Sequence, residues 1–329
     1  MAAPQQASLH ETVLLREAVE HLVVDKSGIY IDATFGRGGH SAAILESLNS
    51  DGRLIALDKD PQAVAAAQQR FGNDGRFSIL HTSFSDLDTI LQQQQLKGKI
   101  SGILLDLGVS SPQLDQAERG FSFLNDGPLD MRMNPQVSPS AKEWIASASA
   151  EEMTSVFREY GEERFAKRIA SAIVLQRALT PIETTLQLAK IVSDANPAWE
   201  KHKHPATRVF QAIRIFINRE LDDLTDLLAK VLGMLKTGGR LVVISFHSLE
   251  DRIVKNYMRD EARGFSESDK KMPSRLPRKL PVQHEKFTAR LLLVGKTIRA
   301  SEAELEKNPR ARSAIMRVAE KLPCKEVLA

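Results

Sequence analysis

The chain contains little cysteine and few aromatic residues, and it has no long hydrophobic run. Of its 329 residues one is cysteine, and 5% are Phe, Trp or Tyr. The single Cys324 excludes a disulfide framework and a cysteine-based zinc or iron–sulfur site, and it favours a reducing compartment. No apolar stretch approaches the roughly 20 residues of a membrane-spanning helix, and the first residues show no secretory signal pattern. We therefore expect a cytoplasmic protein without a membrane partner.

Neither sign of charge is in large excess. The 45 Lys and Arg residues against 42 Asp and Glu residues leave a net charge of +3. This small excess is weak evidence for an anionic partner when taken alone. The 42% of hydrophobic and 26% of charged residues are typical of a globular protein, and the length allows roughly two domains.

Strand-like and helix-like patterns alternate in the first third of the chain. Apolar runs at 28–32, 53–58, 76–81 and 100–106 are separated by helical stretches, which indicates βαβ units and a parallel sheet. The strand pattern then stops until about residue 238, and it resumes with further runs at 289–294 and 313–319. We predict an α/β fold with one discontinuous domain, 1–114 and 216–329, interrupted by an inserted helical domain over 115–215.

A glycine-rich turn follows the first predicted strand and contains Gly36, Gly38 and Gly39. Glycines let a backbone turn tightly and approach a ligand closely. Asp58 ends the second predicted strand 20 positions after Gly38, where a carboxylate can accept both hydroxyls of a ribose. The turn has neither the phosphate-loop pattern nor the glycine spacing of NAD enzymes, since position 41 is serine. The pattern predicts a nucleotide-type cofactor of another kind.

Two further strand ends carry candidate site residues. Phe84 follows the third predicted strand and can cover an adenine face, although a core position is the plainer interpretation. The segment 106–113 follows the fourth strand, at the sheet edge where open α/β folds bind ligands. Backbone carbonyls and hydroxyls near Ser110, Ser111 and Pro112 are candidates for orienting a substrate amine. The alternative is that both hydroxyls only stabilise a turn.

Together these features resemble a class I S-adenosylmethionine methyltransferase, and longer motifs resemble the bacterial 16S rRNA cytosine-N4 methyltransferase family. The resemblance implies a Rossmann-like sheet with an inserted all-helical substrate-recognition domain. It also implies methylation of the exocyclic N4 amine of a cytidine in the decoding region of small-subunit rRNA, with S-adenosylmethionine as donor and S-adenosylhomocysteine as product. The motifs lie at 10–15, 32–41, 106–113, 118–123, 127–133, 160–166, 204–208, 245–252 and 308–312.

The resemblance assigns expected roles to individual residues. For Asp106 we favour the methionine end of the cofactor, and Ala33 stands where many family members have glycine. The expected cofactor contacts are Gly38, Gly39, His40, Asp58, Phe84, Asp106 and Gln113. The expected contacts with substrate RNA are Arg132, Lys203, Arg208, His247, Arg310 and Arg312.

The inserted region carries a basic helix that begins near His204. Arg208, Arg214 and Arg219 follow without an acidic residue before Glu220, and Arg208 and Arg219 are expected near one helical face. Such a cluster suits phosphate neutralisation, although a solvated helix face is the plainer interpretation. Nearby histidines lack an acidic or cysteine partner, so we predict no metal site.

His247 ends a predicted strand and has two interpretations, a structural hydrogen bond or a contact with the target nucleotide. Ser248 and Asp251 are expected to cap the helix that follows. A base that serves as methyl acceptor must be unstacked to reach the donor.

Two other functions stay open. The chain fits a DNA amino-methyltransferase, or a non-catalytic ribosome assembly factor that binds S-adenosylmethionine. Methylation at C5 of a pyrimidine is excluded, because it proceeds through a cysteine adduct and Cys324 lies in the C-terminal tail away from every motif. The favoured partner is 16S rRNA within a small ribosomal subunit or its precursor.

Overall fold

The computed structural model describes residues 12–137, 139–199, 204–264 and 288–323. By its contacts the chain divides into two compact units. Residues Met1–Gly108 and Asp223–Ala329 form the α/β unit, and Val109–Asp222 form the helical unit. The sequence-based domain limits at 114 and 216, with their cofactor and substrate roles, stay predictions.

Within the described residues of the α/β unit, seven strands form one mixed sheet in the order β3-β2-β1-β4-β5-β7-β6. The first five strands in chain order pair in parallel, while β7 runs antiparallel to β5 and β6. Strand order reverses between β1 and β4, which is the kind of switch point where open α/β sheets bind ligands. The strands are β1 Ile29–Asp32, β2 Arg53–Asp58, β3 Phe77–His81, β4 Ile100–Asp106, β5 Leu235–Ser245, β6 Leu291–Leu293 and β7 Ile315–Lys321.

Helices follow the strands of this unit and pack on the sheet. β4 is buried along Ile100–Leu105, which agrees with the unbroken apolar run that predicts it. The third helix begins with Pro61 after Asp60, whose carboxylate accepts the N–H of Gln62 at 2.9 Å. The helices are α1 Leu15–Leu22, α2 Gly39–Ser47, α3 Pro61–Phe71, α4 Leu87–Gln93, α11 Glu220–Met234, α12 Ser248–Arg263 and α13 Glu302–Lys307.

The helical unit has its own apolar core, and no strand of the sheet lies in its described residues. Its helices begin at hydroxyl side chains, because Ser140, Ser149 and Thr184 each accept a backbone N–H from the first turn. Trp144 and Phe157 are buried in the core. The helices are α5 Ser111–Asp115, α6 Ala141–Ser147, α7 Ala150–Glu159, α8 Ala166–Leu179, α9 Thr185–Ala195 and α10 Ala206–Ile217.

One helical expectation is wrong. α10 ends at Ile217, and Arg219 lies beyond it in a turn with a φ of 52°. Arg208 and Arg219 therefore do not share a helix face, because the left-handed residue redirects the chain before α11. In the part of the chain that the structure describes, no helix is long and apolar enough to cross a membrane.

Candidate active site

Three carboxylates stand at the ends of three neighbouring strands of the α/β unit. Asp32, Asp58 and Asp106 are the last residues of β1, β2 and β4, and β1 lies between the other two strands. Parallel strands end at the same edge of a sheet, so the three side chains lie along one edge. We call them the strand-end carboxylates.

The glycine turn is tied to this row. Gly36 N–H donates to Oδ2 of Asp58 at 2.8 Å, and Asp60 N–H donates to Oδ1 of Asp58 at 2.8 Å. Gly38 has a φ of 72°, and a Cβ there would lie 2.4 Å from the Phe35 ring. At Gly39 a Cβ would lie 1.8 Å from the hydroxyl of Thr12. No larger residue fits at either position without displacing these neighbours.

Burial makes ionisation of the strand-end carboxylates unfavourable. It raises the pKa of Asp32 to about 6, against hydrogen bonds from the Ser41 hydroxyl and the Thr34 N–H that lower it. Burial also raises the pKa of Asp58 to about 6. For Asp106, burial and the negative charges of Asp32 and Glu250 raise the pKa well above its ordinary value. The edge holds these groups poorly solvated and close to one another.

A buried histidine stands beside Asp106. The His40 side chain is 5% exposed, and its Nδ1 lies 3.6 Å from Oδ2 of Asp106. Burial lowers the pKa of His40 to about 4, which keeps the imidazole neutral near pH 7. Nε2 of His40 and Oδ1 of Asp106 are both buried without a hydrogen-bond partner. Buried polar atoms are normally paired, so this place suits a ligand with hydrogen-bonding groups.

Asp106 is also fixed through its backbone. Its N–H donates to the Thr34 hydroxyl at 2.7 Å, which ties the end of β4 to the turn after β1. The sequence analysis did not identify Thr34, and the position of a hydroxyl directly after the buried Asp32 was the available indication.

Phe84 is buried in a short 3-10 turn, Phe84–Asp86, and packs in the main core of the α/β unit. Nζ of Lys59 lies 5.8 Å from the centre of its ring. Lys59 forms an ion pair with Asp223, which also accepts the Ser83 hydroxyl at 2.6 Å. The core position predicted as the plainer alternative is therefore observed, and adenine contact stays a prediction. Sequence reasoning missed Lys59 and Asp223, because they lie far apart in the chain.

The segment 106–113 spans the division between the two units, which falls after Gly108. In the helical unit, Ser110 precedes α5 and forms a capping box with Gln113. The Ser110 N–H donates to Oε1 of the buried Gln113 at 2.9 Å. Ser111 and Pro112 form the first turn of the helix and are half-buried. Gln113 thus has a local structural role, and its cofactor role stays a prediction.

His247 is the N-cap of α12, so the expectation that Ser248 and Asp251 cap this helix is wrong. Its Nδ1 accepts the Glu250 N–H at 3.4 Å. The buried Glu250 in turn accepts the N–H groups of Phe246 at 2.8 Å and His247 at 3.3 Å. Asp251 instead pairs with Arg317 through two contacts of 2.7 and 3.0 Å. The structural interpretation of His247 is thus observed, while nucleotide contact stays a prediction.

The arginines predicted to bind RNA differ in their surroundings. Arg132 pairs with both oxygens of Asp130, at 2.9 and 2.7 Å. Arg208 donates to the carbonyl of Glu162 at 3.1 Å. Arg310 is half-buried and Arg312 is exposed in the 3-10 helix Pro309–Ser313. Lys203 lies outside the described residues.

The basic character expected near α10 is reduced by ion pairing. Arg214 contacts both carboxylate oxygens of Glu220, at 2.8 and 2.9 Å, in a largely buried position. Glu220 begins the next helix, and the two side chains neutralise each other. The sequence analysis took Glu220 only as the end of a basic stretch, since pairing across the turn is not visible in the spacing.

The helical unit contains a cavity of about 550 Å³ that sequence reasoning did not identify. The rings of Trp144 and Phe216 in its wall lie 5.0 Å apart, and the Trp144 N–H donates to Glu152 at 2.7 Å. The wall combines aromatic faces with charged groups. The aromatic and charged lining residues are Trp144, Tyr160, Phe216, Glu152, Arg219 and Asp222.

Among the described residues, no group of three or more His, Cys, Asp or Glu side chains is placed to hold a metal ion. His204 instead stacks near Phe123, with ring centres 4.7 Å apart. The local chemistry of this histidine is therefore aromatic packing.

The sequence matches the model of the MraW methylase family over residues 7–322. Among solved structures, the chain is similar to a candidate rRNA methylase from Clostridium thermocellum at 10% identity and a TM-score of 0.43, over 96% of this chain and 99% of that chain. It is similar to an rRNA methylase from Streptococcus thermophilus at 12% identity and a TM-score of 0.36, over 93% and 92% of the two chains. A third likeness is 1,6-didemethyltoxoflavin-N1-methyltransferase from Burkholderia thailandensis, which contains S-adenosylhomocysteine. It has 13% identity and a TM-score of 0.38, over 94% and 78% of the chains.

Proposed function

Because the chain belongs to the MraW methylase family, the family of 16S rRNA cytosine-N4 methyltransferases, we propose that it methylates the N4 amine of a cytidine in the decoding region of 16S rRNA. Membership confirms the predicted class I methyltransferase fold and the predicted cofactor, S-adenosylmethionine. It also confirms rRNA methylation in general terms. The base, its amine and its place in the ribosome are the finer content of the proposal.

One observation carries the proposal above the others. The family match covers residues 7–322, so it includes the strand-end carboxylates and the whole helical unit. A match confined to the α/β unit would support methyl transfer alone. A match through both units also supports the substrate class.

The α/β unit offers groups that fit S-adenosylmethionine. Each oxygen of Asp58 accepts one backbone N–H and keeps a second lone pair for a ribose hydroxyl. The unpartnered buried atoms of His40 and Asp106 suit the polar groups of the methionine end, while Gly38 and Gly39 leave room for close approach. Phe84 is the proposed adenine neighbour, and Gln113 is the remaining proposed contact. The cofactor supplies a methyl group activated by the positive charge of its sulfonium.

The chain must make a poor nucleophile react. The lone pair of a cytosine amine is delocalised into the ring, so holding nitrogen, methyl carbon and sulfur in line contributes greatly to the rate. Acceptors for the amine hydrogens would turn the lone pair towards the methyl group. We assign this role to the segment Ser110, Ser111 and Pro112. Since Ser110 takes part in the capping box of α5, the Ser111 hydroxyl is the first candidate.

We further propose that RNA is bound by the helical unit and by the C-terminal arginines. Arg312 is exposed and supplies charge for phosphate contact, with Lys203, Arg208 and Arg310 as further candidates and Arg132 and His247 closer to structural roles. The aromatic cavity suits a base removed from its stack. The expected substrate is a small ribosomal subunit or its precursor in the cytoplasm.

Mass-spectrometric mapping of modified nucleosides tests this function. Small-subunit particles are incubated with the enzyme and isotopically labelled donor, and DNA is treated in parallel. We expect one N4-methylcytidine in the decoding region of 16S rRNA. Label found only in DNA would contradict the proposal in favour of a DNA amino-methyltransferase. Donor binding without transfer to any ribosomal particle would favour a non-catalytic assembly factor.

Replacing Ser111 tests the amine-orienting segment. We expect Ser111→Ala to reduce the single-turnover rate roughly tenfold, the value of about one neutral hydrogen bond, while donor affinity measured by calorimetry stays unchanged. Ser155→Ala, at an exposed position of α7, is the matched control and should retain the full rate. A Ser111→Ala enzyme as fast as the control would remove this hydroxyl from the mechanism.

A further inference from the structure

The strand-end carboxylates have no cationic partner in the part of the chain that the structure describes. Asp32 and Asp58 form no ion pair there, and Asp106 has only the neutral His40 ring within 4 Å. The other titratable groups that act on the row are acidic, namely Asp60 before α3 and Glu250 of α12. A row of buried acids without cations is costly to ionise.

The cofactor and its product differ in the property to which such a row responds. S-adenosylmethionine carries a positive sulfonium, and S-adenosylhomocysteine has a neutral thioether in its place. Both have the same methionine amino and carboxylate groups. A positive charge near a buried carboxylate favours ionisation, so the donor and the product should stabilise different protonation states of the row.

We propose that the strand-end carboxylates bind a proton while the donor is absent, lose it when the donor binds, and recover it when methyl transfer neutralises the sulfur. This inference rests on the proposed function for its amine acceptor. Asp106 is the central member, because its Oδ1 is buried without a partner and its other oxygen lies beside the His40 ring. The row then acts as a proton store that follows the charge of the bound cofactor.

The reaction balances with this store. The amine lone pair forms the new N–C bond, the C–S bond breaks with its electron pair going to sulfur, and the amine nitrogen gives up a proton. At that moment the positive charge beside the row disappears, so its proton affinity rises. The proton lost by the substrate is thereby matched by a proton gained at the strand-end carboxylates, and binding of the next donor releases it.

The proposal predicts how cofactor affinity depends on pH. The donor prefers the ionised row, and ionisation increases as the pH rises through the pKa values of about 6 of Asp32 and Asp58. Affinity for S-adenosylmethionine relative to S-adenosylhomocysteine should therefore increase from pH 5 to 7. Linkage limits the increase to about tenfold per pH unit for each proton released, and the ratio levels off above the pKa.

Calorimetry of the full chain in buffers of different ionisation enthalpy measures the protons released on binding. The window of pH 5 to 7 avoids the cofactor's own α-amino group, whose pKa is about 8. The wild type should release more protons with S-adenosylmethionine than with S-adenosylhomocysteine. Asp106→Asn should greatly reduce this difference, while Asp51→Asn, at an exposed loop position of the α/β unit, should preserve it.

Equal proton release for the two ligands in the wild type, or a pH-independent affinity ratio, would overturn the proposal. An Asp106→Asn protein with an unchanged difference would overturn the role of Asp106. If that variant does not bind, Asp32→Asn serves instead, and removing its charge should move the rise in the ratio to lower pH. Because calorimetry needs no RNA, failure of this inference is distinguishable from failure to methylate 16S rRNA.

Discussion

The strand ends of the α/β unit and the arginines of the helical unit accommodate charge in opposite ways. Asp32, Asp58 and Asp106 are buried along one sheet edge without a cationic partner among the described residues. In the helical unit, Arg132 and Arg214 each contact both oxygens of an acidic side chain. Unpaired buried charge is expensive and marks a place that a ligand completes, whereas paired charge marks structure.

This difference separates binding candidates from structural ones. It supports Asp58 and Asp106 as cofactor ligands, and it moves Arg132 and Arg214 towards structural roles. Arg312 belongs to neither group, because it is exposed in a short 3-10 helix. Three substitutions test whether the distinction holds.

The largest effect is expected from Arg214→Ala. This change leaves the largely buried carboxylate of Glu220 without its partner, which costs about 3 kcal/mol of unfolding free energy. Urea denaturation measures the loss. Arg158→Ala, on the exposed side of α7, is the control and should change stability by less than about 0.5 kcal/mol. If both variants are equally stable, the ion pair is not structural and Arg214 returns to the RNA candidates.

Asp58→Ala should have the next largest effect, on cofactor affinity rather than on RNA binding. The carboxylate both fixes the Gly36 turn and offers lone pairs to a ribose. Hydrogen bonds to a charged group are worth about 1.5–3 kcal/mol, so affinity for S-adenosylmethionine should fall roughly 10- to 100-fold in calorimetry. Asp51→Ala should bind like the wild type. Unchanged affinity in Asp58→Ala would refute the ribose assignment.

The smallest effect is expected from Arg312→Ala. Loss of one phosphate contact should reduce the slope of log affinity against log salt concentration by about 1, without changing stability. Arg132→Ala provides the contrast, since its charge is paired with Asp130 and the salt slope should not change. Titration of labelled rRNA at several salt concentrations measures both variants. A lower slope for Arg132→Ala would show that the ion pair opens to bind RNA.

The sequence predicts the sheet and its edge well because both are local patterns. An unbroken apolar run followed by a polar residue predicts β4 and its final Asp106, and both are observed. The glycine turn is equally local, since Gly38 needs a left-handed backbone that glycine adopts readily. These patterns were enough to predict where a cofactor binds.

The features that the sequence did not predict depend on distant partners. Lys59 pairs with Asp223, and Arg317 reaches back to Asp251. The N-cap of α12 is also such a case, because an imidazole is an uncommon cap and its role depends on how the buried Glu250 folds back on it. Spacing along the chain contains no record of these tertiary contacts.

The division of the chain also has a consequence for the order of folding. The helical unit is contiguous, and its core uses residues between Leu129 and Ile217. The sheet must instead wait for distant segments, since β4 pairs with β5 and β5 with β7 near the C-terminus. During synthesis from the N-terminus, the inserted helices can complete their core while the first four strands still expose the edge of β4. The interval between these events is a period in which an unpaired hydrophobic strand needs protection from association.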